Sequence, residues 1–171
     1  AYRTSSLPWL GELPTHWELR PLRSLLRIRK DLVGNRHAQY RLLSLTKQGV
    51  IVRDLTGMRG KFSADLGSSQ QVRPEDFVLC LFDVPETPRT VGRSRHQGMI
   101  TSAYTVCEPL GGCNYAYLEA YFITLDDTKQ LAPLYSGLRN TIPKGRFLGM
   151  KVPMPPVDQQ AAIVRFLDWA T

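Results

Sequence analysis

The chain has 171 residues, a size that favours one compact domain over two. Hydrophobic residues make up 43% and charged residues 22%, enough apolar material for a core, which excludes a disordered or low-complexity chain. Lys and Arg number 22 against 15 acids, a net charge of +7 that points to a polyanionic partner.

The chain opens on a Trp/Pro-rich stretch with no apolar segment behind Arg3, so no secretory signal is visible, and the missing initiator Met suggests a trimmed chain. The basic excess is concentrated here: residues 1–64 hold 12 bases and 4 acids, against 4 and 5 in residues 65–107 and 6 and 6 in residues 108–171. Strand signals are short and frequent, at Trp17–Leu19, Tyr40–Leu45, Val50–Asp54, Phe77–Phe82, Met99–Cys107 and Lys151–Pro153, each bounded by Gly, Pro, Asn or Asp. Helical spacing occurs over Leu22–Ile28 and Tyr115–Thr124. The last helix is the clearest. Pro156 suits its first position, Asp158 its first turn, and Ile163, Phe166, Leu167 and Ala170 repeat at helical spacing up to the end of the chain. This reads as an α+β fold, an irregular and mostly antiparallel sheet with a few helices, followed by the start of a long helix with an apolar stripe. The stripe fits a partner helix or the domain's own core equally well.

The longest apolar run, Phe77–Phe82, is too short to span a bilayer, so no membrane partner is expected. Cys80, Cys107 and Cys113 lack CxxC spacing, which fits reduced thiols in a cytoplasmic protein better than a disulfide framework or a zinc site. His16, His37 and His96 are far apart, and neither a dinucleotide fingerprint nor a P-loop is present. Asp127-Thr128-Lys129 has the acid-x-Lys form of metal-dependent nucleases, but only Glu108 and Glu119 offer the further acid. Met154-Pro155-Pro156-Val157 is only superficially like the amino-methyltransferase motif. A small DNA-processing enzyme, nuclease or methyltransferase, is therefore the alternative reading. An RNA-binding module is another, although the RRM and KH signatures are absent.

Three windows contain no acid: Leu32–Arg53, Thr87–Cys107 and Thr128–Val157. Within them the stretch Arg89, Arg93, Arg95, His96 and Gln97 is punctuated by Gly92 and Gly98, and Arg139, Asn140, Lys144 and Arg146 by Gly137 and Gly145. Both read as mobile loops whose side chains suit base edges. An arginine fork matches guanine O6 and N7, so at least one of Arg93 and Arg95 is expected to read a base edge, with His96 and Gln97 beside it. Lys47, Lys61 and Lys144 are the expected phosphate contacts, and Arg59 adds to the basic region. The alternative for each loop is a solvated turn.

The two ends of the chain, Leu7-Pro8-Trp9-Leu10-Gly11-Glu12-Leu13-Pro14-Thr15-His16-Trp17-Glu18-Leu19 and Phe147 to Asp168 with Pro155-Pro156 and Gln160-Ala161-Ala162-Ile163, resemble a target recognition domain of Type I restriction-modification specificity subunits. Met99–Tyr104 and Tyr117-Leu118 resemble its middle, and Asp158 departs from the Glu that many relatives carry. The resemblance implies that residues 1–155 form a module reading one half of a split double-stranded DNA target. It implies that residues 156–171 begin a spacer helix, with Ile163, Phe166, Leu167 and Ala170 facing a partner. It further implies methyltransferase (modification) subunits, a restriction/translocase subunit, and a second recognition domain or half-subunit as partners. The chain itself would be non-catalytic and without a cofactor, S-adenosylmethionine, ATP and Mg belonging to partner subunits. The Trp9 and Trp17 motif is expected to close the domain as an apolar clamp.

Overall fold

The structure, a computed structural model, describes residues 1–54 and 66–171. Its centre is a four-stranded antiparallel sheet of β4 (Leu26–Ile28), β11 (Thr105–Pro109), β8 (Phe77–Leu79) and β9 (Val91–Arg93), in that order. Every residue of β8 is buried, because both faces of the sheet are covered. Alternation along the strand then divides the core: Phe77 and Leu79 face one side and Val78 the other.

On the first side lie α1 (Tyr115–Asp127), the short α2 (Lys144–Gly149) and β12 (Lys151–Met154), with Phe122 stacked on Phe147 at 5.4 Å between ring centroids. On the second side lies a two-stranded ribbon, β5 (Leu43–Thr46) and β6 (Gly49–Val52), whose Leu43, Leu45 and Val50 pack on Val78, Val106 and Ile100. A further pair joins β7 (Gln70–Val72) to β10 (Gly98–Ile100). The ends of the chain are tied by β1 (Tyr2–Thr4) on β2 (Glu12–Pro14), and by β3 (Glu18–Pro21) on β12. The expected α+β architecture with an irregular antiparallel sheet is present.

Two expected elements differ. Leu22–Ile28 is one 3-10 turn, Leu22–Ser24, followed by β4. Its apolar spacing serves a turn closed by Leu25 N–H on the Leu22 carbonyl, after which pairing of Leu26–Ile28 with β11 competes successfully against helix. Met99–Cys107 is not one strand. A turn at Thr101–Tyr104, with the Tyr104 N–H donating to the Thr101 carbonyl, separates β10 from β11, and the two join different sheets.

The final helix, α3 (Val157–Ala170), is fixed at its start by two glutamines. Gln160 is buried; its Oε1 accepts the Asn114 N–H at 2.8 Å and its Nε2 donates to the Pro155 carbonyl at 2.8 Å. Asn114 is also the cap of α1, its side chain accepting the Tyr117 N–H at 3.2 Å, so one residue couples both helices. Gln159 Oε1 accepts from the Trp17 indole at 3.1 Å, while the Trp9 indole donates to the Tyr121 hydroxyl at 2.6 Å. The N-terminal tryptophans thus hold α3 and α1 through polar indole contacts, and Trp9 also packs on the main core.

Candidate nucleic-acid interface

A groove of about 320 Å³ runs between the ribbon tip and the segment after β9, lined by Lys47, Gln48, Arg89, Arg93, Arg95 and His96 among others. It brings together five of the residues expected from sequence: Lys47, Arg89, Arg93, Arg95 and His96. Gln97 is exposed beside it, and its carbonyl accepts from Arg41 at 3.4 Å. Arg59 and Lys61 lie outside the described residues.

The walls are built by two close approaches. A Cβ at Gly92 would stand 2.4 Å from Leu45 Cδ1, and one at Gly98 would stand 2.5 Å from the Arg41 carbonyl oxygen. The glycines flanking Arg93 and Arg95 therefore seat the ribbon against β9 and β10. They do not make the loop mobile, as the sequence suggested. Ser94 between them is buried, its Oγ donating to the His96 carbonyl at 2.8 Å and accepting the His96 N–H at 3.0 Å.

The arginines divide in role. Val91 and Arg93 share the face of β9 that looks at α1, and Arg89 lies just before the strand, beside the end of α1. Each arginine consequently meets an acid. Arg89 Nη1 lies 2.7 Å from Asp127, and Arg93 Nη1 lies 2.8 Å from Glu75, with its Nε 3.6 Å from Glu119. Glu119 also accepts the Arg93 N–H at 3.2 Å and Asp126 the Thr90 N–H at 2.9 Å, so α1 seals the edge of the sheet. Arg93 keeps only 11% of its side chain exposed. Both of its partners are acids of its own chain, which braces Arg93 against β9 and α1 and leaves Arg95 as the more accessible of the two arginines. Arg95 is exposed, and no hydrogen bond or ion pair holds its guanidinium among the described residues.

The same pairings account for the acids that a nuclease reading would need. Glu108 is held by Arg27 and Arg29, Glu119 by Arg93, and Asp127 by Arg89; Lys129 sits in a turn at φ 53°. The hydrogen bond from Arg27 holds the Glu108 carboxyl below the usual range. No group of three His, Cys, Asp or Glu able to hold a metal occurs among the described residues.

The second basic stretch forms a hairpin, Ser136 pairing with Thr141 around Gly137 and Asn140, both at positive φ. It docks on Asp83, whose N–H donates to the Arg139 carbonyl at 2.9 Å and whose carboxylate is gripped by the Arg139 guanidinium. That hydrogen bond draws the Asp83 carboxyl below its ordinary value. Arg139 also covers the Phe82 ring at 5.8 Å. Lys144 is exposed at the start of α2, and Arg146 donates to the Leu134 and Tyr135 carbonyls at 3.2 and 3.4 Å. Arg139, Asn140, Lys144 and Arg146 do not line the ribbon groove. The pocket beside Phe82 and Asp83 shares Arg89 with that groove, which makes the two regions neighbours.

Gln48 lines the groove as well, a position that sequence reasoning did not single out. The signal was present in Lys47-Gln48-Gly49 between two alternating apolar runs, a hairpin tip by its turn chemistry.

This architecture is shared with solved structures. The HsdS subunit from Thermoanaerobacter tengcongensis aligns at a TM-score of 0.55 and 16% identity, over 97% of this chain and 40% of that one. The Type-I restriction-modification S subunit from M. genitalium aligns at 0.56 and 10%, over 91% of this chain and 40% of its own. The chain has an S-subunit fold. A chain from a structure addressing complex assembly and conformational transition of the type I R-M system agrees, at 0.61 and 16% over 95% of this chain and 40% of that one. The chain spans about 40% of the length of these S-subunit-fold proteins. No family model and no curated protein matches it. Among the described residues no helix is long and apolar enough to cross a membrane.

Proposed function

We propose that this chain is a target recognition domain that reads one half of a bipartite double-stranded DNA sequence, as part of the specificity subunit of a Type I restriction-modification enzyme. The observation that carries the reading is the S-subunit fold over nearly the whole chain. The groove supports it, with Lys47 and Arg95 exposed on either side. A duplex seated there would meet Lys47 as a phosphate contact and Arg95 as a planar donor fork. Lys144 and Arg146 extend the basic surface.

In this reading residues 1–155 recognise DNA and residues 156–171 begin the spacer that meets methyltransferase subunits and a second recognition domain or half-subunit. A restriction/translocase subunit joins the assembly, and the setting is cytoplasmic. The chain is non-catalytic: S-adenosylmethionine, ATP and Mg²⁺ act in partner subunits.

The test is a duplex-binding titration at several salt concentrations. Half a site offers few contacts, so binding is weak and falls steeply with salt as released counterions lose their advantage. Salt-independent binding, or a preference for single-stranded RNA, sinks the reading. Turnover by the chain alone with Mg²⁺, ATP and S-adenosylmethionine, abolished by Asp127→Ala, favours the enzyme alternative.

A further inference from the structure

We propose that Gln48, at the tip of the β5–β6 ribbon, is a specificity-determining residue that reads an adenine in the major groove; this rests on the DNA-recognition reading above.

The tip is short and held. The ribbon register closes at Thr46 opposite Gly49, which leaves Lys47 and Gln48 as the turn, and Gly49 takes φ 101°. Thr46 Oγ1 donates to the Gly49 carbonyl at 2.9 Å and accepts the Gln48 N–H at 3.2 Å, so one hydroxyl organises the whole turn. Below it, Leu43, Leu45 and Val50 are buried, and Gly92 and Gly98 admit the ribbon at contact distance. The Arg53 N–H donates to the Leu42 carbonyl at 2.8 Å, continuing the pairing past the ribbon's end. A ribbon anchored this way presents its tip with little conformational freedom to lose on binding.

The tip also has the right chemistry. Gln48 is exposed. Its Oε1 lies 3.4 Å from Thr46 Oγ1, and its Nε2 has no hydrogen-bond partner among the described residues. A carboxamide offers an acceptor and a donor side by side, which matches adenine N6–H and N7 in the major groove. The groove of B-DNA admits a two-stranded ribbon, and Lys47 beside Gln48 supplies a point charge suited to the flanking phosphate. Opposite, Arg89 and Arg93 are engaged with Asp127, Glu75 and Glu119. Among the described residues Gln48, Arg95 and His96 are left as the planar hydrogen-bonding groups lining the groove that can reach a base, Gln48 from the ribbon and the other two from the opposite wall.

The experiment is a binding screen over duplexes with a randomised half-site, using the 171-residue chain, Gln48→Ala and Lys47→Ala, with melting curves to establish that the exposed substitutions leave the fold intact. The wild-type chain prefers adenine at one position; Gln48→Ala loses that preference on the order of tenfold and keeps the others. Lys47→Ala weakens all sequences about equally. Replacing that adenine by 7-deazaadenine, which lacks the N7 acceptor, weakens the wild-type chain and leaves Gln48→Ala unaffected. If Gln48→Ala keeps every base preference, weakens all sequences alike, or stays sensitive to 7-deazaadenine, Gln48 does not read the base, while the DNA reading stands. A wild-type chain that binds no duplex overturns the DNA reading and this inference together.

Discussion

Gly98 faces the Arg41 carbonyl so closely that a Cβ there would lie 2.5 Å from the oxygen. The Met99 N–H donates to that same carbonyl at 2.8 Å, so the backbone of the segment preceding the ribbon is fixed against β10. At Gly92 the neighbour is Leu45 Cδ1, the end of a side chain that can rotate. Gly98→Ala is therefore expected to be the more damaging of the two, costing upward of about 1–3 kcal/mol, with Gly92→Ala at the low end of that range. Chemical denaturation of both variants checks the order. Equal losses would mean that the backbone contact yields as easily as the side chain.

The same comparison separates Arg93 from Arg95. Removing Arg93 strips Glu75 and Glu119 of their partner on a largely buried guanidinium. Arg93→Ala is expected to lose about 1–3 kcal/mol of stability. Arg95→Ala should leave melting unchanged and relax base preference at one position, by the same order of energy read in a binding screen. A stable Arg93→Ala with a selective binding defect would return base reading to Arg93.

Much of the fold was legible because its signals are local. α1 and α3 follow from helical periodicity, α3 also from Pro156 at its start, and the two strands of the ribbon from the apolar runs on either side of Lys47-Gln48-Gly49. Pairings were not legible. Leu26–Ile28 is a strand only because β11 lies beside it, some eighty residues away in sequence. Arg93 is braced because α1 brings Glu119 onto its face of the sheet, and a window free of acids along the chain says nothing about acids across a sheet. One clue was available. Once Val91–Arg93 is read as a strand with Val91 inward, the period of two puts Arg93 inward with it.

Gln160 joins α3 to the cap of α1 through one buried amide with both ends satisfied. Gln160→Leu keeps most of the volume and leaves the Asn114 N–H and the Pro155 carbonyl without that partner. The expected cost is about 1–3 kcal/mol. Hydrogen exchange should rise first in the opening turns of α1 and α3. Exchange rising evenly across the domain would place the latch within the global unfolding unit.

Cys107 lies on β11 against Phe77 and the main core, and burial, reinforced by the charge of Asp76, pushes its thiol up to about 12 from an ordinary 9.0. The folded thiol then holds its proton where the unfolded one has lost it. Stability from this group is complete below pH 9 and declines as pH rises from there toward about 12. The native chain is expected to be less stable at pH 10 than at pH 8, and Cys107→Ala to show a shallower alkaline decline. Rapid modification of Cys107 by a thiol reagent in the folded chain at pH 8 would contradict its burial.

The apolar stripe of α3 splits between two jobs. Ile163 and Val164 are partly buried against the main core, whereas Phe166 is 62% exposed and Trp169 83%, their rings 6.2 Å apart. Leu167 is 39% exposed and Ala170 is exposed too, so of the four stripe residues Ile163 packs on the domain, and Trp169 is exposed beside Phe166. Exposed side chains contribute little to the stability of the chain that carries them, so Phe166→Ala should change unfolding by no more than about 0.5 kcal/mol. Ile163→Ala removes packed methyl groups and should cost on the order of 1–3 kcal/mol. Assembly reads the other half of the division. In a full-length subunit, Phe166→Ala should weaken association with the methyltransferase subunits or the second recognition domain, and leave the base preferences of the groove as they were. Unchanged association together with a large loss of stability would assign Phe166 to the domain's own core.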